Sequence, residues 1–207
     1  MAHPESSIRK GDIAALFLTV AVLVWSGINP HDRFTWVLEV FPALIGIPTL
    51  IVLYPRFRFT PLVTWLIAIH MMILMVGGKY TYALTPVGEW MKGWFGFERN
   101  NYDRIGHLAQ GFIPAMMARE VFIRRSPLKG GKWLFFMVVC FCLAVSATYE
   151  LIEAGVAIAS GDEAVAFLGT QGDQWDTQSD MALALVGSIA AQVLLSGWQR
   201  RQMERAE

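Results

Sequence analysis

The chain has 207 residues, is 55% hydrophobic and 16% charged, and carries no formal net charge at pH 7. Eight Trp and 13 Phe exclude a disordered chain, which lacks apolar residues to bury, and the balanced charge offers no footprint for nucleic acid. Two Cys, at 140 and 142 within one apolar run, cannot build a disulfide framework.

A mean hydropathy of +0.43 arises from six apolar stretches, near 13–31, 34–54, 59–78, 105–123, 133–159 and 181–199. A hydrocarbon core about 30 Å thick needs about 20 apolar residues of helix. The expected fold class is therefore all-α: a polytopic transmembrane helical bundle of about six spans, in a single integral membrane domain over 1–207 whose first partner is the lipid bilayer. Stretch 13–31 follows Arg9 and Lys10, as the core of a signal peptide would. No small-x-small cleavage pattern closes it, and Trp25, Asn29, Pro30, His31 and Asp32 follow instead, so it reads as an uncleaved first span. Stretch 34–54 carries only Glu39. Stretch 59–78 is uncharged apart from His70, for which a hydrogen bond to a neighbouring helix is expected. Stretch 105–123 is the weakest, interrupted by His107, Arg119 and Glu120, and has a buried or re-entrant helix as its alternative. Arg119 and Glu120 read as interfacial. Stretch 133–159 contains Glu150 and Glu153, and 181–199 carries no charge.

Charge sets the expected orientation. Arg9, Lys10, Arg56, Arg58, Arg124, Arg125, Lys129, Lys132, Arg200, Arg201 and Arg205 fall on one side of the six stretches; Arg33, Lys79, Lys92, Arg99 and Arg104 fall on the other. Cytoplasmic loops are enriched in Lys and Arg, so both termini are predicted cytoplasmic. Asn29-Pro30, Tyr54-Pro55, Gly130-Gly131 and Gly161-Asp162 supply turns between stretches. The outer segments 79–104 and 160–180 are longer, and Trp90 and Trp94 suit an interfacial segment.

An ionisable side chain within a membrane helix costs roughly 2.5–3.5 kcal/mol on insertion scales, and so needs a partner, a cavity or a function. The expected topology puts Asp103 and His107 at the outer end of the fourth span. Glu150 and Glu153 lie two to three turns from the outer end of the fifth, and Asp173, Asp176 and Asp180 at the mouth of the sixth. Asp103/His107 and Asp176/Asp180 are spaced i,i+4, and Glu150/Glu153 i,i+3, so each pair shares one face of a regular helix. Carboxylates around a single imidazole suit Mg, Mn or Zn. This reading takes His107, Glu150, Asp176 and Asp180 as ligands of a divalent metal, and Asp103 or Glu153 as general base. Lys79 and Arg104 would hold an anionic head group. The plainer reading makes Asp103, Asp173, Asp176 and Asp180 caps and solvated first-turn acids and His107 a structural hydrogen-bonder. Glu39 has two readings, joining this outer cluster or reaching outward. The cofactor assignment stays open between a divalent metal and none.

Two long strings, Gly77-Gly78-Lys79-Tyr80-Thr81-Tyr82 and Glu98-Arg99-Asn100-Asn101-Tyr102-Asp103-Arg104-Ile105-Gly106-His107, resemble the YjdF family of bacterial inner-membrane proteins. So do Tyr149-Glu150-Leu151-Ile152-Glu153 and the run from Phe167 to Gln178. The resemblance covers nearly the whole chain and implies a multi-pass protein of the bacterial cytoplasmic membrane, without supplying a mechanism. A fainter similarity is to VanZ-like membrane proteins. Asp103, Arg104, His107, Glu150, Asp180 and Gly187 match their pattern, while Glu153 stands where Gln is usual and Ala184 where Asn is usual. Three functions remain. One is a metal-assisted enzyme acting on a lipid or lipid-linked substrate near the outer leaflet. Another is a proton- or cation-coupled transporter, and the last a non-catalytic scaffold whose acidic outer loops bind a protein partner.

Overall fold

The computed structural model describes residues 8–160 and 170–205, which form seven α-helices and no strand. The turn expected at Gly161-Asp162 and the Phe167-Leu168-Gly169 part of the last string lie outside the described residues. Helices α1 (Lys10–Gly27) and α2 (Arg33–Leu53) are joined through Asn29, whose φ of 49° is left-handed and suits Asn. Asp32 caps α2 by accepting from the Thr35 amide at 2.6 Å, which satisfies one of the orphan donors of the first turn and holds the Asp32 carboxyl below its ordinary range. Helix α3 (Pro61–Tyr80) starts on Pro at its first position, where the missing N–H costs nothing.

After α3 the chain turns at Thr81, a buried residue with φ 57°. That conformation is strained for a β-branched residue. It delivers the Tyr82 ring into the bundle against Gly77 and Gly106, where a side chain on Gly77 would collide with the ring. Helix α4 (Pro86–Phe95) is short and amphipathic; Trp90 and Trp94 are 59% and 76% exposed, as an interfacial segment requires. Helices α5 (Tyr102–Arg125), α6 (Gly131–Ser160) and α7 (Asp176–Glu204) complete the fold.

Five helices, α1, α2, α3, α6 and α7, are long and apolar enough to cross a membrane. Helix α5 has the length, 24 residues, but not the apolarity, and packing accounts for this. It is the central helix, packed on α3, α6 and, most extensively, α7. Its polar residues therefore meet protein and not lipid. Side chains on Gly111 or Gly187 would run into the Ala184 and Leu108 carbonyls, so the α5–α7 backbones approach as closely as glycine permits, a common device of membrane helix pairs. On the other flank α1 and α2 both pack along α3. Val40, Val63, Met116, Val138 and Cys142 fill the core with no exposure, while Phe17, Phe41, Leu151 and Leu194 are more than half exposed on outer faces. Outward apolar faces on a bundle of this hydropathy are lipid-facing.

Helix direction alternates, so the bundle has two ends. One, the basic end, carries the α1 N-terminus, the α2–α3 and α5–α6 connections and the α7 C-terminus. There Glu120 has no exposure. Its carboxylate accepts from the Thr60 amide at 2.9 Å, the Thr60 hydroxyl at 2.7 Å and Arg124 at 2.9 Å. Gln199 joins it, and takes a 2.6 Å bond from Arg119. The interfacial reading of Glu120 is thus corrected: it is a buried tie between the α2–α3 connection, α5 and α7. A buried charge is tolerated because every lone-pair direction finds a donor.

Candidate functional site

The other end of the bundle gathers acids. The i,i+4 spacing in α5 stacks Asp103 over His107, with Asp103 Oδ1 3.4 Å from His107 Nε2. Glu150 enters from α6, its Oε1 3.7 Å from His107 Nδ1, and Asp180 from α7, its Oδ2 3.8 Å from His107 Nε2. The exposures of these four residues are 9, 7, 8 and 3% in chain order. Asp103, His107 and Asp180 each offer one ligand atom, and these lie within 4.8 Å of one another. The separations from the imidazole exceed ordinary hydrogen-bond lengths, with Asp103 and Asp180 on its Nε2 side and Glu150 on its Nδ1 side. Glu150 Oε1 and Asp180 Oδ1 are buried with no hydrogen-bond partner among the described residues, an arrangement that costs free energy unless something else fills it. Gln110 Oε1 lies 3.1 Å from His107 Nδ1. When it accepts from Nδ1–H, Nε2 keeps its lone pair and faces Asp103 and Asp180, the usual arrangement behind a metal-binding histidine.

The remaining candidates are placed differently. Asp176, at the start of α7, accepts from Arg99 Nη1 at 2.7 Å, so its carboxylate is engaged beside the group and not within it. Asp173 binds both Arg99 and Arg104, at 3.3 and 3.0 Å. The Trp175 amide, then the two guanidinium groups, hold its carboxyl below the ordinary range. Gln171 and Asn100 exchange two bonds, at 3.1 and 2.9 Å. Together these contacts lay segment 170–176 over the α5 N-terminus. Lys79 stands apart, donating to the Trp25 and Ile28 carbonyls at 3.3 and 2.7 Å over the Trp25 ring. Glu153 is half-buried, one turn beyond Glu150, and lines a cavity of about 140 Å³ that also reaches Asp103 and His107. Glu39, 5% exposed, faces the same cavity, which settles its direction inward. His70 is there too, its Nε2 without a hydrogen-bond partner among the described residues, contrary to the expected bond.

Arg99 and Gln110 are two further residues of the site that hydropathy and charge counting do not single out. The signal for Arg99 is its i,i+4 spacing to Asp103. Gln110 lies one turn from His107, the spacing at which a side chain can orient an imidazole.

A family profile described as "Predicted membrane protein (DUF2238)" matches residues 12–201. The inner membrane protein YjdF of Escherichia coli (strain K12) is 48% identical over 192 residues, covering 93% of this chain and 91% of that protein. No solved structure matches. Neither match carries the fainter VanZ-like similarity. With a profile spanning nearly the whole chain, a relative of this identity and a bundle of membrane-length helices, the chain belongs to the DUF2238 family of predicted membrane proteins, is a relative of YjdF, and is a multi-pass inner-membrane protein.

Proposed function

We propose that Asp103, His107 and Asp180 hold a divalent cation, with Glu150 on the Nδ1 side of the same imidazole, and that the protein is a metal-assisted enzyme acting on a lipid or lipid-linked substrate. The observation that carries this reading is the convergence of three helices on one imidazole, with two buried carboxylate oxygens that have no hydrogen-bond partner among the described residues. Such groups are stabilised by a cation, and the hard oxygen donors with one nitrogen fit Mg, Mn or Zn. A cation there would polarise a phosphoryl or acyl oxygen and acidify a bound water. Glu153, on the cavity wall one turn from Glu150, serves as general base. Asp176 stays with Arg99 and holds the α7 N-terminus in place.

A proton- or cation-coupled transporter draws on the same carboxylates, but it needs a polar route onward. Towards the basic end the space between α5, α6 and α7 is filled by Met116, Val138, Cys142 and Ala191, all without exposure. Ser188 and Gln192 there are bonded to helix carbonyls. This apolar plug favours a pocket closed at its base.

The test is elemental analysis of the purified protein after incubation with Mg, Mn and Zn salts and desalting. About one divalent ion per chain is expected. Asp180→Asn should lose it with helix content and melting behaviour retained. A folded wild-type chain that retains no more metal than Asp180→Asn overturns the reading.

A further inference from the structure

The cavity beside the His107 group has a composition of its own. Its volume of about 140 Å³ equals roughly four or five waters at about 30 Å³ each, the size of a small head group and far below that of a whole lipid. Its described lining includes Glu39 from α2, His70 from α3, Tyr82 from the turn after α3, and Tyr149 and Glu153 from α6, but no Lys or Arg. An anionic group such as a phosphate would meet carboxylates and find no guanidinium or ammonium to receive it. A cation meets the reverse. An alkylammonium carries three N–H donors and no acceptor. The cavity offers Glu39, a carboxylate 5% exposed, and also His70 Nε2 and Tyr149 Oη. Both of these last atoms are buried without a hydrogen-bond partner among the described residues. The Tyr82 and Tyr149 rings add faces of the kind that attract cations.

The packing says where such a ligand comes from. Helix α2 is held by α3, and α6 is held by α5 and α7. The cavity therefore lies between α2 and α6, over a floor of α3 and α5. Both flanking helices turn apolar residues outward, with Phe41 and Ile45 of α2 56% and 51% exposed and Leu151 and Ile152 of α6 73% and 52% exposed. A ligand entering between them arrives from the bilayer, with its hydrocarbon left among these side chains.

We propose that the cleft between α2 and α6 admits the ammonium head group of a membrane lipid, with Glu39 as its counter-ion and His70 and Tyr149 as its further acceptors. The cavity also reaches Asp103 and His107, so the head group would sit beside the metal site, but its binding is argued from Glu39, His70 and Tyr149; only its identification as the substrate class rests on the enzymatic reading above.

The experiment places the full-length protein in nanodiscs of mixed phosphatidylethanolamine, phosphatidylcholine and phosphatidylglycerol and measures retained lipid by native mass spectrometry. Phosphatidylethanolamine should be retained roughly tenfold over phosphatidylglycerol, with phosphatidylcholine, whose ammonium has no N–H, in between. Glu39→Gln should abolish most of that preference, a loss of roughly tenfold, since truncating one partner of a buried charge pair is costly, while divalent metal content is unchanged. Tyr149→Phe, which removes one hydroxyl and keeps the ring, should lose a few-fold and serves as the second variant if Glu39→Gln misfolds. Equal retention of the three lipids, or unchanged preference in a folded variant, overturns the proposal. Displacement of the lipid by millimolar free ethanolamine overturns its lipid-borne part. Loss of metal with the lipid preference intact counts against the enzymatic reading alone.

Discussion

Gly111 of α5 lies against the Ala184 carbonyl of α7 so closely that a Cβ has no room, and this contact fixes how near Asp180 comes to His107. Asp180 sits one turn before Ala184, and His107 one turn before Gly111. Moving the two helices apart would carry the carboxylate away from the imidazole, now 3.8 Å from it.

Gly111→Ala should therefore destabilise the protein by roughly 1–3 kcal/mol, the usual cost of overpacking, and reduce metal retention with it. Gly155→Ala in α6 is the control, because nothing lies within 4 Å of its Cβ position. There the gain in helix propensity makes the change neutral or stabilising by up to about 1 kcal/mol. Thermal unfolding of both variants in detergent checks the pair; equal melting temperatures would mean that α5 and α7 do not meet backbone to backbone.

Glu120 should be the most costly single carboxylate to lose for stability. Glu120→Ala leaves the Thr60 amide and hydroxyl and one Arg124 donor without their acceptor, and breaking a buried pair in this way costs about 3–5 kcal/mol. Glu120→Gln keeps one acceptor oxygen and should lose less. Chemical denaturation in mixed micelles would measure both. A Glu120→Ala protein as stable as wild type would show that these contacts are not stabilising.

Much of this architecture was legible in the residues. Five apolar stretches mark the five membrane-length helices because lipid-facing helices must be apolar. Helix α5 read as the weakest stretch for the same reason, since a helix surrounded by protein escapes that requirement. The i,i+4 pair Asp103/His107 and the depth of Glu150 were accessible from helix geometry alone. The engagement of Asp176 by Arg99 was not, because no periodicity tells which cation a connecting segment folds onto. Glu39 and His70 sit on α2 and α3, which carry no other titratable residue between Phe34 and Leu53 or between Pro61 and Gly78. Their meeting depends on which helix faces pack, and hydropathy cannot supply that.

The segment over the α5 N-terminus should open in acid. Asp173, bound by Arg99 and Arg104, has its pKa lowered from the ordinary 3.8 in the fold. Its contribution is thus fully present above 3.8 and is lost as pH falls through the lower folded value. Protection factors for amides near Asp173, corrected for intrinsic exchange, should be flat from neutral pH down to about 4 and fall below it. Asp173→Asn should show the low-pH level throughout. A decline centred near neutrality would assign the opening to another group.

The position of the cations predicts the orientation of the bundle. The basic end gathers Lys10, Arg56, Arg58, Arg124, Arg125, Lys129 and Arg200 through the helix directions described above. The other end has Arg33, Lys79, Lys92, Arg99 and Arg104, five cations against eleven at the basic end. Retention of Lys and Arg on the cytoplasmic side predicts that the His107 group lies towards the periplasm. In a background lacking Cys140 and Cys142, a cysteine introduced at Glu98 should react with a membrane-impermeant maleimide in intact cells, and one at Lys129 only after lysis. The opposite pattern would turn the bundle over and put the candidate site, with any lipid it acts on, at the inner leaflet.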